Sequence, residues 1–268
     1  MKTALVTGAT DGIGFETARQ LAGRGLRVLV HGRNAAKADA AVRRIAADTP
    51  GASVEPVAAD LARMAEVVAL ARTVESKAAA LDALLNNAGV YSDTRRLTPD
   101  GLETTLAVNH FAPFLLTHHL RAAVKRAPQG RVVTVSSMAH ASGEIDVDDF
   151  ALAHGYTGYG AYSTSKLANI LFTVALADRL AGTQVTANCL HPGVIATKLL
   201  RAGFGMGGAA VERGARTSVY LVTAPEVASV TGKYFVDCEV ATPSRRARDA
   251  RSAELLWAAS ERTLAAWL

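Results

Sequence analysis

Two cysteines in 268 residues, Cys189 and Cys238, are too few for a disulfide framework. They stand in no Cys-x-x-Cys spacing and have no pair of histidines beside them, so a zinc site is not expected. Both read as ordinary thiols of a reducing compartment. Aromatic residues are scarce at 6%, and the cations behind the net charge of +5 are scattered. Many lie at Arg43, Arg44, Arg95 and Arg96, and others at Arg245, Arg246, Arg248 and Arg251. A nucleic-acid surface gathers its cations on one stripe, often with aromatics among them, so that partner is not expected. No apolar run reaches the length of a bilayer span. Residues 1–7 are too short for a signal-peptide core, and the last residues carry no lipidation signal. No membrane partner is expected, and the expected location is the cytoplasm. Internal repeats and Pro/Ser-rich linkers are missing too, so residues 1–268 are expected to form a single domain. With 50% hydrophobic and 20% charged residues, the chain can bury a large core without staples.

What is present is an alternation of short apolar runs with longer helical ones. Strands are expected at residues 3–7, 27–31, 53–58, 81–86, 131–136, 184–190 and 233–236. Helices are expected after the first strand and at 34–47, 61–80, 99–126 (one or two, bent or interrupted near Pro113), 160–180, 212–223 and 252–267. Strands separated by helices of this length imply βαβ units, and runs apolar on both sides imply a parallel sheet covered on both faces. The fold class is α/β, a doubly wound parallel sheet of Rossmann type. Residues 138–160 and 202–210 are polar or glycine-rich and aperiodic, and are expected to be loops beyond the carboxyl ends of strands, where ligands bind in such sheets.

Residues 7–14 read Thr-Gly-Ala-Thr-Asp-Gly-Ile-Gly and lie between the first strand and the first helix. Gly8 permits a tight turn, Gly12 a close approach of backbone to a pyrophosphate, and Gly14 close packing of helix on strand. The helix start adds free N–H groups and a positive dipole end. Farther along, Tyr162-Ser-Thr-Ser-Lys166 puts a phenol and an ammonium on one helix face, about a turn apart. A free phenol has a pKa of ~10, and a nearby ammonium is expected to lower it into a useful range. Ser136-Ser137 ends the fifth strand, where a hydroxyl could steady charge on a substrate oxygen. Ser137 is the first choice and Ser136 the alternative.

The spacing Thr-Gly-x-x-x-Gly-Ile-Gly resembles the cofactor signature of the short-chain dehydrogenase/reductase family. Five more blocks follow in that family's order: Asn86-Asn87-Ala88-Gly89, Asn109, Ser137, Tyr162-x-x-x-Lys166 and Pro192-Gly193-Val194-Ile195 with Thr197. The resemblance implies an oxidoreductase that moves a hydride between a nicotinamide and a carbonyl/alcohol pair. It implies a catalytic set of Asn109, Ser137, Tyr162 and Lys166, with Tyr162 as acid/base and Asn109 holding a water beside the lysine. It implies a cofactor shell of Gly8, Thr10, Asp11, Gly12, Ile13, Gly14, Asn87, Ala88, Gly89, Tyr162, Lys166, Pro192, Gly193, Ile195 and Thr197, with Asp60 and Leu61 on the adenine side.

After the second strand the chain reads His31-Gly32-Arg33-Asn34, with no carboxylate before Asp39. A carboxylate there would bind a ribose 2′-hydroxyl and repel a 2′-phosphate, whereas Arg33 offers a planar charged fork to phosphate. Arg33 and Asn34 are therefore assigned to the cofactor, NADP(H) is preferred, and NAD(H) is possible. Asn34 also reads as a helix cap, as does Asp60.

The runs Ser165-Lys-Leu-Ala-Asn-Ile-Leu-Phe172, His191-Pro-Gly193 and Gly232-Lys-Tyr-Phe235 are most similar to the retinol dehydrogenase and WW-domain oxidoreductase branch. That branch's hydrophobic anchor and WW modules are missing here, so the resemblance carries over the chemistry and not the substrate. In this family the helix of Tyr162 often packs at a subunit interface, so a homodimer or homotetramer is expected. Substrate loops are expected at 138–160 and 198–211. Their Met138, Phe150, Tyr156, Tyr159, Leu199, Leu200, Phe204 and Met206 favour a small lipophilic or aromatic carbonyl. The competing class is a non-catalytic NADP(H)-binding sensor or scaffold. A dehydratase or epimerase is disfavoured, because such relatives usually carry a larger C-terminal substrate domain.

Overall fold

A computed structural model describes residues 1–147 and 149–268, with the side chains of Ala202 and Phe204 left outside the description. The chain runs β1 (Thr3–Val6), α1 (Gly12–Gly23), β2 (Arg27–Gly32), α2 (Ala35–Asp48), β3 (Val54–Ala58), α3 (Met64–Lys77) and β4 (Ala83–Asn86). It continues α4 (Thr104–Leu106), a π-helical turn (Ala107–Phe111), α5 (Ala112–Lys125), β5 (Arg131–Val135), α6 (Gly158–Arg179) and β6 (Thr186–His191). It ends with α7 (Lys198–Phe204), α8 (Val211–Thr223), β7 (Tyr234–Val236), β8 (Glu239–Ala241) and α9 (Ala250–Leu264).

The sheet order is β3-β2-β1-β4-β5-β6-β7-β8, with every neighbouring pair parallel except β7 and β8. The order reverses between β1 and β4, so the loops leaving these strands diverge to opposite faces and open a crevice between them. Apolar side chains on both sides of the strands make two cores. One holds Leu84, Met64, Leu70, Phe111, Leu116 and Leu171. The other holds Val6, Leu21, Val28, Ile45, Val133 and Phe235. Each such side chain contributes roughly 1.5–3 kcal/mol on burial, which is why strands this short can stay in register.

Helix α6 is buried along nearly its whole length. Its apolar outer side is covered by α9 of the same chain. Trp257 stacks on Phe172 (ring centroids 5.9 Å apart, planes at 12°) and meets Phe114 at 4.7 Å. Arg179 lies over the Trp257 ring and bonds Glu254 through two 2.7 Å contacts. The burial of α6 is thus met within the chain by α9.

Three local features differ from expectation. Residues 198–204 form a helix, begun by the Thr197 side chain accepting from the Leu200 N–H and ended by Gly205 at φ 62°. Strand β8 follows a two-residue turn in which Asp237 (φ 48°) and Cys238 (φ 69°) both take left-handed backbone. The stretch expected as one or two helices, bent or interrupted near Pro113, is broken instead at the π turn, and Pro113 sits in the first turn of α5. Among the described residues, no helix is long and apolar enough to cross a membrane.

Candidate active site

The crevice is a cavity of about 880 Å³ above the carboxyl ends of the central strands. Its floor is the glycine turn. Gly8 is left-handed (φ 62°), and a Cβ there would lie 2.8 Å from the Ala88 Cα. A Cβ at Gly14 would lie 2.3 Å from both Asn87 Nδ2 and the Gly8 carbonyl. Any side chain at either place would push the β1 and β4 loops apart. The loops are further tied by Asn87, whose Nδ2 donates to the Thr7 carbonyl (2.7 Å), and by the Thr7 hydroxyl oxygen, which accepts from the Asn87 and Ala88 N–H groups.

Asp11 caps α1 by accepting from the Gly12 N–H (2.8 Å) and meets Lys198 at the start of α7 at 2.5 Å. The hydrogen bond from Lys198 holds its carboxyl below the usual range. The 198–211 segment is pinned at its far end as well, because Ile195 and Ala209 pair as a parallel bridge.

His31 was not singled out by sequence, yet it braces this floor. Its Nδ1 accepts from the Gly8 N–H (3.1 Å) and its Nε2 donates to the Ala59 carbonyl (3.0 Å). The ring must be neutral to do both, and burial pushes its pKa down to about 4. His110, fully buried, is pushed to about 3 by the same cause. Both ionise near 6.5 in the unfolded chain. Below that value the unfolded chain binds more protons, so stability present above 6.5 is lost as pH falls toward the folded values. Urea unfolding at about pH 7 and about pH 5 will show a clear loss at the lower pH, and His31→Gln will reduce that loss. Equal midpoints at the two values would contradict it.

At the other end of the cavity, Ser137, Tyr162 and Lys166 converge. The Ser137 hydroxyl caps the short helical turn after β5, accepting from the Ala139 N–H, and hydrogen-bonds Tyr162. The Ser136 hydroxyl, by contrast, donates to the Lys166 carbonyl at 2.7 Å and is buried, so Ser136 braces α6 against β5. His140 Nδ1 donates to the Ser137 carbonyl (2.7 Å), and its Nε2 accepts from Ser244 N–H (3.1 Å). His191 Nδ1 accepts from the Met138 N–H. These two histidines hold the Ser137 turn and were not legible as braces in sequence.

The electrostatics of Tyr162 run opposite to expectation. Burial raises the phenol to about 12, and the Ser137 hydrogen bond only partly offsets this. The Lys166 ammonium lies 5.5 Å from the ring centroid and donates to the Val135 carbonyl (3.0 Å). Burial lowers the lysine to about 8. At neutral pH the phenol is therefore protonated, a proton donor before it is a base.

Most residues assigned from sequence line this one cavity: Gly8, Thr10, Asp11, Gly12, Ile13, Gly14, Arg33, Asp60, Leu61, Asn87, Ala88, Gly89, Ser137, Tyr162, Lys166, Pro192, Gly193, Ile195 and Thr197. Two do not. Asn34 caps α2, accepting from the Lys37 N–H at 3.0 Å. Asn109 is buried in the π turn, bonds the Val90 N–H and carbonyl, and donates to Ser165 Oγ. Of the expected substrate-facing residues, Met138, Tyr159, Leu199, Leu200 and Met206 line the cavity. Phe150 instead packs edge-on against Phe111, and the Tyr156 hydroxyl donates to the Ser92 carbonyl. The Phe204 side chain lies outside the described residues.

A Rossmann-type sheet with a glycine turn at its switch point and a tyrosine–lysine pair in the same cavity defines an oxidoreductase that works with a dinucleotide. The chain belongs to the short-chain dehydrogenase family, whose sequence model matches residues 2–204. It is 40% identical to retinol dehydrogenase 12 of Mus musculus over 96% of this chain and 84% of that protein. It is 38% identical to retinol dehydrogenase 14 of Homo sapiens over 97% and 85%. The crystal structure of an uncharacterised protein from Mycobacterium paratuberculosis superposes with TM-score 0.82 at 34% identity, covering 98% of this chain and 93% of that one. A short chain dehydrogenase from Escherichia coli CFT073, complexed with NADPH, superposes with TM-score 0.74 at 26% identity, covering 89% and 97%.

Proposed function

We propose that this protein interconverts a carbonyl and an alcohol on a small lipophilic or aromatic molecule, using NADP(H) in preference to NAD(H), with Tyr162 as the general acid/base. The observation that carries the reading is the convergence of Ser137, Tyr162 and Lys166 on the cavity whose floor is the glycine turn. The cavity fits a dinucleotide. Its turn carries no side chain at Gly8, Gly12 and Gly14, Arg33 lies at the β2 end, and the carboxylates that line it are Asp11, paired with Lys198, and Asp60, bonded to the Ala62 N–H. When bound, the nicotinamide supplies or accepts the hydride.

In reduction, the Ser137 hydroxyl and the Tyr162 phenol donate hydrogen bonds to the carbonyl oxygen and stabilise the charge that grows there. Tyr162 then gives up its proton, which a phenol held at about 12 carries at neutral pH. Lys166 stabilises the phenolate left behind, and Asn109 fixes the Val90 backbone and α6 around it. Thr197 and the Ile195 backbone would hold the carboxamide of a bound nicotinamide, and Asp60 and Leu61 would lie on its adenine side. The 138–160 and 198–211 segments form the substrate walls. Met138, Tyr159 and Met206, half exposed at the cavity, supply apolar surface with few polar groups. That the relatives are named for retinol, a lipophilic alcohol, and that a structural neighbour binds NADPH both support this choice. A panel of aliphatic and aromatic aldehydes, ketones and alcohols, assayed with both cofactors, is expected to give turnover with lipophilic members and NADPH. Turnover confined to sugars or acids would contradict the substrate class.

A further inference from the structure

Two buried polar side chains behind the site have no part in this chemistry: Asn169, three residues beyond Lys166 on α6, and His110 in the π turn. The Asn169 amide donates to the Val135 carbonyl at 3.2 Å, the same oxygen that accepts from the Lys166 ammonium at 3.0 Å. A carbonyl has two lone pairs, and each donor weakens its hold on the other. On the far side, the His110 and Asn169 side chains are hydrogen-bonded. His110 Nε2 meets Ser260 Oγ at 2.9 Å, and the Ser260 hydroxyl spends its own proton on the Leu256 carbonyl. Nε2 is therefore the donor, and Nδ1 is left as an acceptor. The His110 and Asn169 side chains thus form one buried polar pair between α6 and the π turn.

We propose that Asn169 is a positioning residue for Lys166: its amide takes half of the Val135 carbonyl, so that the ammonium is not held there alone, and it is steadied from behind by His110 and, through Ser260, by α9. The inference rests on the reading that Lys166 takes part in proton transfer. The ammonium sits between the Val135 carbonyl and Gly89, where a Cβ would lie 3.5 Å from Nζ, so a weaker hold on Val135 frees it toward the cavity. The titratable groups that share the cavity with it are Tyr162 on its own helix, Tyr159, His31, His191, Asp11, Arg33, Asp60 and Lys198, and His110 lies behind Asn169. Burial is the cause of its shift, and no carboxylate contributes.

The sign follows. Without the amide, Val135 accepts from Lys166 alone, the ammonium is better stabilised, and its pKa rises. The test is the pH profile of reductive kcat/KM in Asn169→Leu. The alkaline limb is expected to move up from its wild-type position by roughly half a pH unit or more, with kcat about tenfold lower and KM within about twofold. His110→Leu is expected to move the limb the same way by less, and His110→Gln, which keeps a side chain able to hydrogen-bond Asn169, to restore it. Asn169→Ser carries the same test if the leucine variant does not fold. A folded variant whose limb and kcat match the wild type, or whose Tm falls while the limb stays in place, overturns the proposal. Undiminished turnover in Lys166→Ala would instead overturn the reading on which it rests.

Discussion

Tyr162→Phe is expected to lower kcat by between about 10² and about 10⁴ while leaving the affinity for NADPH within about twofold. The variant removes one oxygen from a side chain that is buried on α6 and packed against Tyr91 at 5.9 Å. The glycine turn and Arg33 are expected to carry most of the cofactor's phosphate contacts, so its affinity is expected to change little. The proton donor is lost, and the Ser137 hydroxyl alone must stabilise the developing charge. Reduction and oxidation should suffer together, because the same atom gives the proton in one direction and takes it in the other. A variant retaining more than about a tenth of wild-type kcat would remove Tyr162 from the chemistry.

Arg33→Ala is expected to weaken NADPH binding by roughly 10- to 100-fold and to leave NADH within about twofold. A hydrogen bond to a charged group contributes about 1.5–3 kcal/mol, and about 1.4 kcal/mol is a factor of ten in affinity. The cofactors differ only by the 2′-phosphate, so the two affinities separate the role of Arg33 from general damage. High salt should shrink the difference, because exposed charges are screened. An equal loss for both cofactors would mean that Arg33 does not read the phosphate.

The features legible in sequence were those written within one short segment. The glycine turn, the Tyr162–Lys166 spacing and the Asn87-Ala88-Gly89 run each sit on a single strand end or helix start, and all three border one cavity. The sheet was legible because its strands are apolar on both faces. Helix α7 was hidden by the glycines that follow it, although Thr197 before it and Gly205 after it are ordinary start and stop signals. Strand β8 was hidden by its turn. Left-handed backbone at two successive positions usually goes with Asn-Gly, and here the residues are Asp237 and Cys238.

Roles that depend on distant partners could not be read at all. His31 is defined by Gly8 and Ala59, and His110 by Ser260, 150 residues away. The phenol of Tyr162 was expected to be acidified by its lysine, but its pKa follows burial. Burial is set by how α6 lies against β5 and the 138–160 segment. Nor does anything in the sequence of α6 say that α9 returns to cover its apolar side.

The most direct test of the central claim is a single turnover with NADPH deuterated at C4 and the best carbonyl substrate of the panel. The arrangement of Tyr162, Ser137 and Lys166 over the dinucleotide cavity predicts an alcohol carrying deuterium at the carbinol carbon, formed in step with NADP⁺. NADPH that binds but stays reduced with every carbonyl offered, or NADP⁺ formed without a labelled alcohol, would contradict it.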